Sequence, residues 1–468
     1  YIASGAQAEA AGDLQVSYHA GLVSAREEKA LGVNVNFDPC VDILYNWRNT
    51  IVNTRAYGTD AETVIKYTNA YLDGLTAENG ENMEDGVIQC IKHFPGDGTE
   101  ERDQHLVLGV NELSPEEWRA SFGKVYQNHI DRGVEMIMAG HIAVPALQKE
   151  LNSALEDKDI MPATLAEELI QDELKTELGF NGLVITDATH MLGMTSAMRR
   201  EDYVPKSIAA GCDMFLFFNN IEEDFGFMLK GYQNGVITEE RLTDALRRIL
   251  GLKAKLHLPE KQANGTLLRT REDLNVIGCE EHLQWRAEAA DKGISLIKDT
   301  QNNLPINPVD HKRIRLYMLE GEKGGITDNG SKAQQLFVDE LTKRGYEVTV
   351  NERGSRVKGA TLKYRDEVDF ALEVADIAGY GAQNNYRIQW STAMANEVPW
   401  FVWEVPHAFV SLNFTTHLHD ATMVKTFVNA YHNNEETIKQ VIDKLEGKSE
   451  FKGGHNDLVW TDKWQAKL

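Results

Sequence analysis

Five short apolar runs in the first half of the chain limit its fold more than any other feature. They are VNVNFDP (33–39), VIQCIKH (87–93), VEMIMAGH (134–141), LVITD (183–187) and DMFLFF (213–218). None alternates strictly between apolar and polar, as a strand with one wet face would. Such runs suit strands covered on both sides in a parallel sheet. Helical patterns separate them, near 15–30, 60–78, 115–131, 164–177 and 203–210. Ser114-Pro115-Glu116-Glu117 is a strong helix start, with a capping hydroxyl, a proline in the first turn and acids at the positive helix end. Gly179 and Gly211 stand where a helix must leave through a left-handed turn before the next strand. Strand–helix alternation of this kind defines an α/β fold.

Polar residues gather where these strands end: Asp38, Asp42, Lys92, His93, His141 and Asp187. In a barrel or an open parallel sheet that edge is the functional one. A closed barrel takes eight strands, so a barrel here implies either strands ahead of residue 1 or strands that these patterns do not reveal, whereas an open sheet needs neither. The opening YIASGAQAEAAGDLQ reads as the middle of a protein, neither a signal peptide nor an initiator sequence.

Helical patterns near 221–232 and 237–252 close the first domain, expected over 1–256. The polar, broken stretch LHLPEKQANGTLLRTREDL begins a linker and connecting helix expected over 257–290. A second α/β domain is expected over 291–468, with strands at 294–299, 314–319, 346–350 and 409–413. Its helices are expected at 331–344, 420–431 and 434–445. The glycine pairs near 324 and 330 form no phosphate-binding loop, because neither GxxxxGK nor GxGxxG is present.

The formal charge of −24 excludes a nucleic-acid backbone as main partner and disfavours an anionic membrane surface. No apolar run reaches the roughly 18 residues of a membrane span. Cys40, Cys90, Cys212 and Cys279 show no CxxC spacing, which reads as buried or free thiols in a reducing compartment.

The densest chemistry lies in KHFPGDGTEERDQH (92–105). Asp103 and His105, two apart in an irregular segment, can form a dyad in which the carboxylate fixes the ring tautomer and raises its basicity. Asp187 at a strand end either faces a substrate or caps the next helix. Lys92 and His93 divide between reaching substrate and bracing the loop. His93, His105, His141 and Asp187 match no compact zinc motif, so neither metal nor cofactor is expected.

KHFPGDGTEERDQH resembles the lysine-histidine-phenylalanine-proline-glycine motif of glycoside hydrolase family 3, in its β-N-acetylglucosaminidase branch with an Asp-x-His loop. The likeness continues in order through LGVNVNFDPCVDI, NTRAYGTD, IMAGHIAVPAL, PATL, ELGFNGLVITDATHM and AAGCDMFLF. KTFVNAY and KLEGKSEFKG resemble the second domain of larger members. The resemblance implies a (β/α)8 TIM-like barrel, here lacking its N-terminal strands, followed by a smaller α/β domain. Those strands would come from a missing N-terminal segment or a second protomer.

By the same resemblance Asp187 is the nucleophile, His105 the general acid/base and Asp103 its orienting partner. Arg55, Lys92 and His93 would grip the sugar, with His141 close by. The implied activity is that of a retaining exo-β-N-acetylglucosaminidase, through a covalent glycosyl-aspartate, on N-acetylglucosamine-containing saccharides such as recycled cell-wall fragments or chitin-derived saccharides; the expected location is the cytoplasm. A β-glucosidase, a phosphorylase of the same family and a non-catalytic carbohydrate-binding relative are the alternatives. Gln104 stands in place of the customary serine, and Asp97 where many relatives have histidine.

Overall fold

The computed structural model describes residues 2–80, 83, 86–321, 332–377, 386–454 and 464–468. The chain divides into two compact units. The first holds Ile2 and Ser17–Leu283, and the second holds Ala3–Val16 with Gln284–Leu468. The glycine pairs near 324 and 330 and most of the C-terminal tail lie outside the described residues. Among the described residues no helix is long and apolar enough to cross a membrane.

In the first unit, β1 (Val35–Asn36), β2 (Ile88–Phe94), β4 (Met136–Ala139) and β6 (Leu183–Thr186) form a parallel sheet in that order. Sequence neighbours are therefore space neighbours, as expected when each crossover is one helix. Two short strands, β3 (Gly109–Val110) and β5 (Ile142–Ala143), pair beside it. Ile88, Cys90, Met136, Met138, Leu183 and Ile185 share one sheet face and pack with Leu252, Leu256 and Leu258. The helix over 115–131 starts as expected: Ser114 and Glu117 cap one another reciprocally. It winds as a π-turn at Arg119–Gly123 before resuming at Lys124.

The run 213–218 departs from expectation. Only Met214 bridges β6, at Ile185. Phe217 has φ 57°, which no pleated strand can accommodate. The run 33–39 likewise pairs only over Val35–Asn36.

In the second unit, β7 (Ser295–Asp299), β8 (Arg313–Glu320), β9 (Glu347–Val350), β10 (Phe370–Asp376), β11 (His407–Ser411) and β12 (Thr426–Asn429) form a sheet ordered β7-β12-β11-β10-β8-β9. All neighbours are parallel except β7, which runs against β12. The helices Ala333–Lys343 and Glu435–Leu445 seal one face around Phe337, Leu341, Val441 and Leu445. The stretch expected as a helix at 420–431 contains β12 instead. Its Phe427 stacks on Phe409 of β11, a cross-strand aromatic pair that outweighs a weak helical spacing. β10 was not expected from sequence. All of its residues are buried, so FALEVAD shows no period to read.

Candidate active site

β2 ends in the KHFPG turn, and packing determines that turn's shape. Phe94 lies edge-on to Tyr126 at 5.1 Å and to Trp118 at 6.2 Å. The Trp118 indole donates to the Pro95 carbonyl at 2.8 Å. Gly98, at φ 103°, passes so close to the Ile43 carbonyl that a Cβ would collide with it. Only glycine meets both demands.

Behind the turn lies Asp42, fully buried. Its Oδ2 accepts the His93 Nδ1–H at 2.7 Å and the Cys40 thiol at 3.0 Å. Its Oδ1 accepts the backbone N–H of Asp97 at 2.7 Å and of His93 at 3.2 Å. Burial works against its charge, but the His93 imidazole and the other donors prevail and lower its pKa to about 2. The contact leaves Nε2 as the His93 ring's other polar atom. Lys92 pairs with Asp38 at 3.7 Å.

The Asp103–His105 pair forms as its spacing predicts. Asp103, fully buried, accepts both the His105 ring Nδ1–H at 2.7 Å and the His105 backbone N–H at 2.9 Å. The ring is 37% exposed. Burial opposes its protonation, yet the Asp103 hydrogen bond and the charges of Asp103 and Asp187 outweigh burial and Arg55, so its pKa is raised. Gln104 anchors the loop from within. Its Oε1 accepts the His141 N–H at 2.7 Å, its Nε2 lies 3.4 Å from Asp97, and its carbonyl accepts the Gly193 N–H at 3.1 Å.

Asp187 follows β6, partly exposed, and its Oδ1 accepts the next residue's N–H at 2.7 Å. Burial would raise its pKa, but the His93 and His141 imidazoles, the Ala188 N–H and His105 together lower it. His141 is fully buried. Its Nε2–H donates to the Ala188 carbonyl at 2.9 Å and its Nδ1 accepts the Thr164 hydroxyl at 3.0 Å. Burial pushes its pKa down. Arg55 closes a short turn, Asn53–Arg55. Burial disfavours its charge, but the carboxylates of Asp38, Asp42 and Asp187 raise its pKa. Arg55, Lys92, His93, Asp103, His105, His141 and Asp187 thus converge on one strand-end cluster.

The supporting residues were harder to foresee. Asp42 stands at a strand end with nothing nearby in sequence to mark its partners, and Gln104 reads only as a replacement for serine. Cys40 and Thr164 had no assigned part. Cys40 Sγ, Asp42 and His93 offer ligand atoms within 4.8 Å of one another. The thiol and the imidazole N–H both donate to Asp42, and burial and the Asp42 charge push the thiol pKa well up. Its protonated donors therefore suit a hydrogen-bonded brace for His93.

A carboxyl with a lowered pKa at the end of one parallel strand and an imidazole with a raised pKa in the loop beyond another are groups that glycosidase chemistry can use. The family model for the glycosyl hydrolase family 3 N-terminal domain matches residues 3–252. The chain belongs to glycoside hydrolase family 3 and is an enzyme acting on glycosidic bonds. Among its relatives, a β-N-acetylglucosaminidase/β-glucosidase of Cellulomonas fimi is 39% identical over 473 residues, covering 100% of this chain and 82% of that protein. The solved β-glucoside phosphorylase BglX is 38% identical with a TM-score of 0.93, again covering 100% of this chain and 82% of the other. A family 3 β-N-acetylglucosaminidase from Paenibacillus sp. str. FPU-7 shares the fold at 22% identity, with a TM-score of 0.78, over 97% of this chain and 82% of that one.

Proposed function

We propose that the protein is a retaining exo-β-glycosidase that removes terminal N-acetylglucosamine through a glycosyl-aspartate on Asp187. His105 protonates the leaving oxygen and then deprotonates the incoming acceptor, held in one tautomer by Asp103. Arg55, Lys92 and His93 grip the sugar, and His141 braces the Ala188 peptide beside the nucleophile. One observation carries the reading: neighbouring titratable groups are driven in opposite directions, with Asp187 toward its ionised form and His105 toward its protonated form. A histidine with a reference pKa near 6.5 serves as acid and base near neutrality. The sequential order of the parallel strands supports reading them as an arc of a TIM-like barrel, with the second unit as the smaller α/β domain.

A second reading keeps the same first step and delivers the sugar to inorganic phosphate. It is favoured by the likeness to a phosphorylase and by chemistry, since a neutral imidazole repels a phosphate nucleophile less than a carboxylate does. The test is turnover of nitrophenyl N-acetylglucosaminide and glucoside, with and without phosphate, with the product identified as free sugar or sugar 1-phosphate. A slow fluorosugar should label Asp187 in the mass spectrum. Asp187→Ala should lose at least about 10³-fold in kcat/KM. Retention of a tenth of the activity by that variant refutes the assignment.

A further inference from the structure

Two successive phenylalanines, Phe217 and Phe218, are each 58% exposed beside this site. A strand continuing through 213–218 would turn one of them into the core. It does not continue, because Phe217 adopts φ 57°, a conformation that bulky residues rarely take and that tends to occur where function needs it. The segment following Asp187 holds it there. The Thr189 hydroxyl donates to the Phe217 carbonyl, and the Thr189 N–H donates to the Leu216 carbonyl at 3.2 Å. Thr186 Oγ1 accepts the Leu216 N–H at 2.9 Å.

The same segment then runs along the Asp103–His105 loop. The Leu192 N–H donates to the His105 carbonyl at 3.0 Å, and the Gly193 N–H donates to the Gln104 carbonyl at 3.1 Å. Between these two anchorages stands exposed His190, its ring 6.0 Å from that of Phe217 and tilted by 34°. The Phe217 ring therefore flanks the stretch of chain that joins Asp187 to His105. A proton donor serves the leaving group, so the His105 side of the site is the leaving-group side.

From this we infer that Phe217 forms the platform of a leaving-group subsite, taking the apolar C–H face of a second, β-linked sugar ring. This rests on the assignment of Asp187 and His105 above. An exposed aromatic face offers a saccharide ring area without fixing its hydroxyl pattern. The subsite would thus favour ring-bearing leaving groups over small ones, whatever acceptor follows.

The test compares kcat/KM for N,N′-diacetylchitobiose and nitrophenyl N-acetylglucosaminide with kcat/KM for N-acetylglucosaminyl azide, whose leaving group has no ring. Phe217→Gly removes the ring and is at ease at positive φ, so the substitution is not confounded by backbone strain. Phe217→Tyr keeps the ring and serves as the conservative variant. In Phe217→Gly the ratio of ring-bearing to azide kcat/KM should fall about tenfold, and Phe217→Tyr should restore it. A ratio unchanged in Phe217→Gly, whether both substrates suffer alike or neither does, overturns the subsite. Asp187→Ala run alongside separates the two claims. If it abolishes turnover while the ratio stays constant, only the subsite fails; if it retains turnover, both fail.

Discussion

Replacing Asp42 separates folding from function in a way the structure quantifies. Its Oδ1 holds two backbone N–H groups and its Oδ2 holds the His93 ring and the Cys40 thiol. Asp42→Ala strands both backbone donors in the interior, at about 1–3 kcal/mol each. The ring can change tautomer, so the total should be near 4 kcal/mol. Asp42→Asn keeps the oxygen for the backbone pair and costs about 1–2 kcal/mol, the surplus of a charge-assisted bond over a neutral one. Its amide nitrogen, however, donates where the carboxylate accepted. His93 must then accept at Nδ1 and carry its proton on Nε2, the reverse of its present state. The expected pattern is a large stability loss for alanine, and a small one for asparagine accompanied by a fall of tenfold or more, about 1.4 kcal/mol, in kcat/KM.

The pH dependence adds a check with a definite sign. The Asp42 pKa is lowered from 3.8 to about 2, so its contribution is present above the unfolded value and is lost as pH falls through the folded one. That is roughly 2 kcal/mol. Urea unfolding of wild type and Asp42→Asn should therefore show a gap that closes between pH 5 and pH 2. Equal destabilisation by alanine and asparagine, or a gap independent of pH, refutes the account.

Other substitutions test the rest of the site. Asp103→Asn should lower kcat by about 10²–10⁴. It should also move the alkaline limb of the pH–rate profile to lower pH, because the charge that raises the His105 pKa and keeps it protonated as pH rises is gone. An unmoved limb would detach Asp103 from His105. Gly98→Ala must strain a φ of 103° and displace the Ile43 carbonyl. It should cost at least about 2 kcal/mol in denaturant unfolding, and a loss under 0.5 kcal/mol, the scale of an unremarkable surface change, would show that the turn relaxes.

What the sequence disclosed follows the range of the interactions. Asp103 and His105 are two residues apart and Ser114 caps a helix three residues on, so both were legible from local spacing. The strand-end cluster was legible because parallel strands deliver their last residues to one edge. The Asp42 brace was not, since His93 and Asp97 lie 51 and 55 residues away and sequence alone does not state which donors meet one carboxylate. Gln104 reads as a loop substitution until His141 and Gly193 are seen to bind it. β10 and β12 were hidden for the opposite reason. Strands buried on both faces lose the period that marks them, and only the neighbours they stack on decide the matter.

Asp97 extends the same reasoning to a second buried carboxyl in that turn. It is buried, and burial together with the nearby Asp42 charge pushes its pKa up to about 7, against the pull of the Gly98 N–H and Asn49. Two buried carboxyls at one turn share their protons. Asp42, with four donors, stays charged, and Asp97 keeps the proton. A raised carboxyl pKa has the opposite linkage to a lowered one: stability is complete below the unfolded value and declines as pH rises through the folded one. Wild type should therefore lose up to roughly 4 kcal/mol between pH 4 and pH 7, relative to a variant without this group. Asp97→Asn is that variant. Its oxygen can still accept from Asn49 and Gly98, while its amide nitrogen meets the Gln104 amide nitrogen at a cost of about 1 kcal/mol. Ionisation is the larger effect, so Asp97→Asn should be slightly less stable than wild type at pH 4 and clearly more stable at pH 7 to 8. Urea titrations across that range decide it, because a difference that does not change sign with pH would mean that Asp97 is ionised throughout and that the turn tolerates two charges.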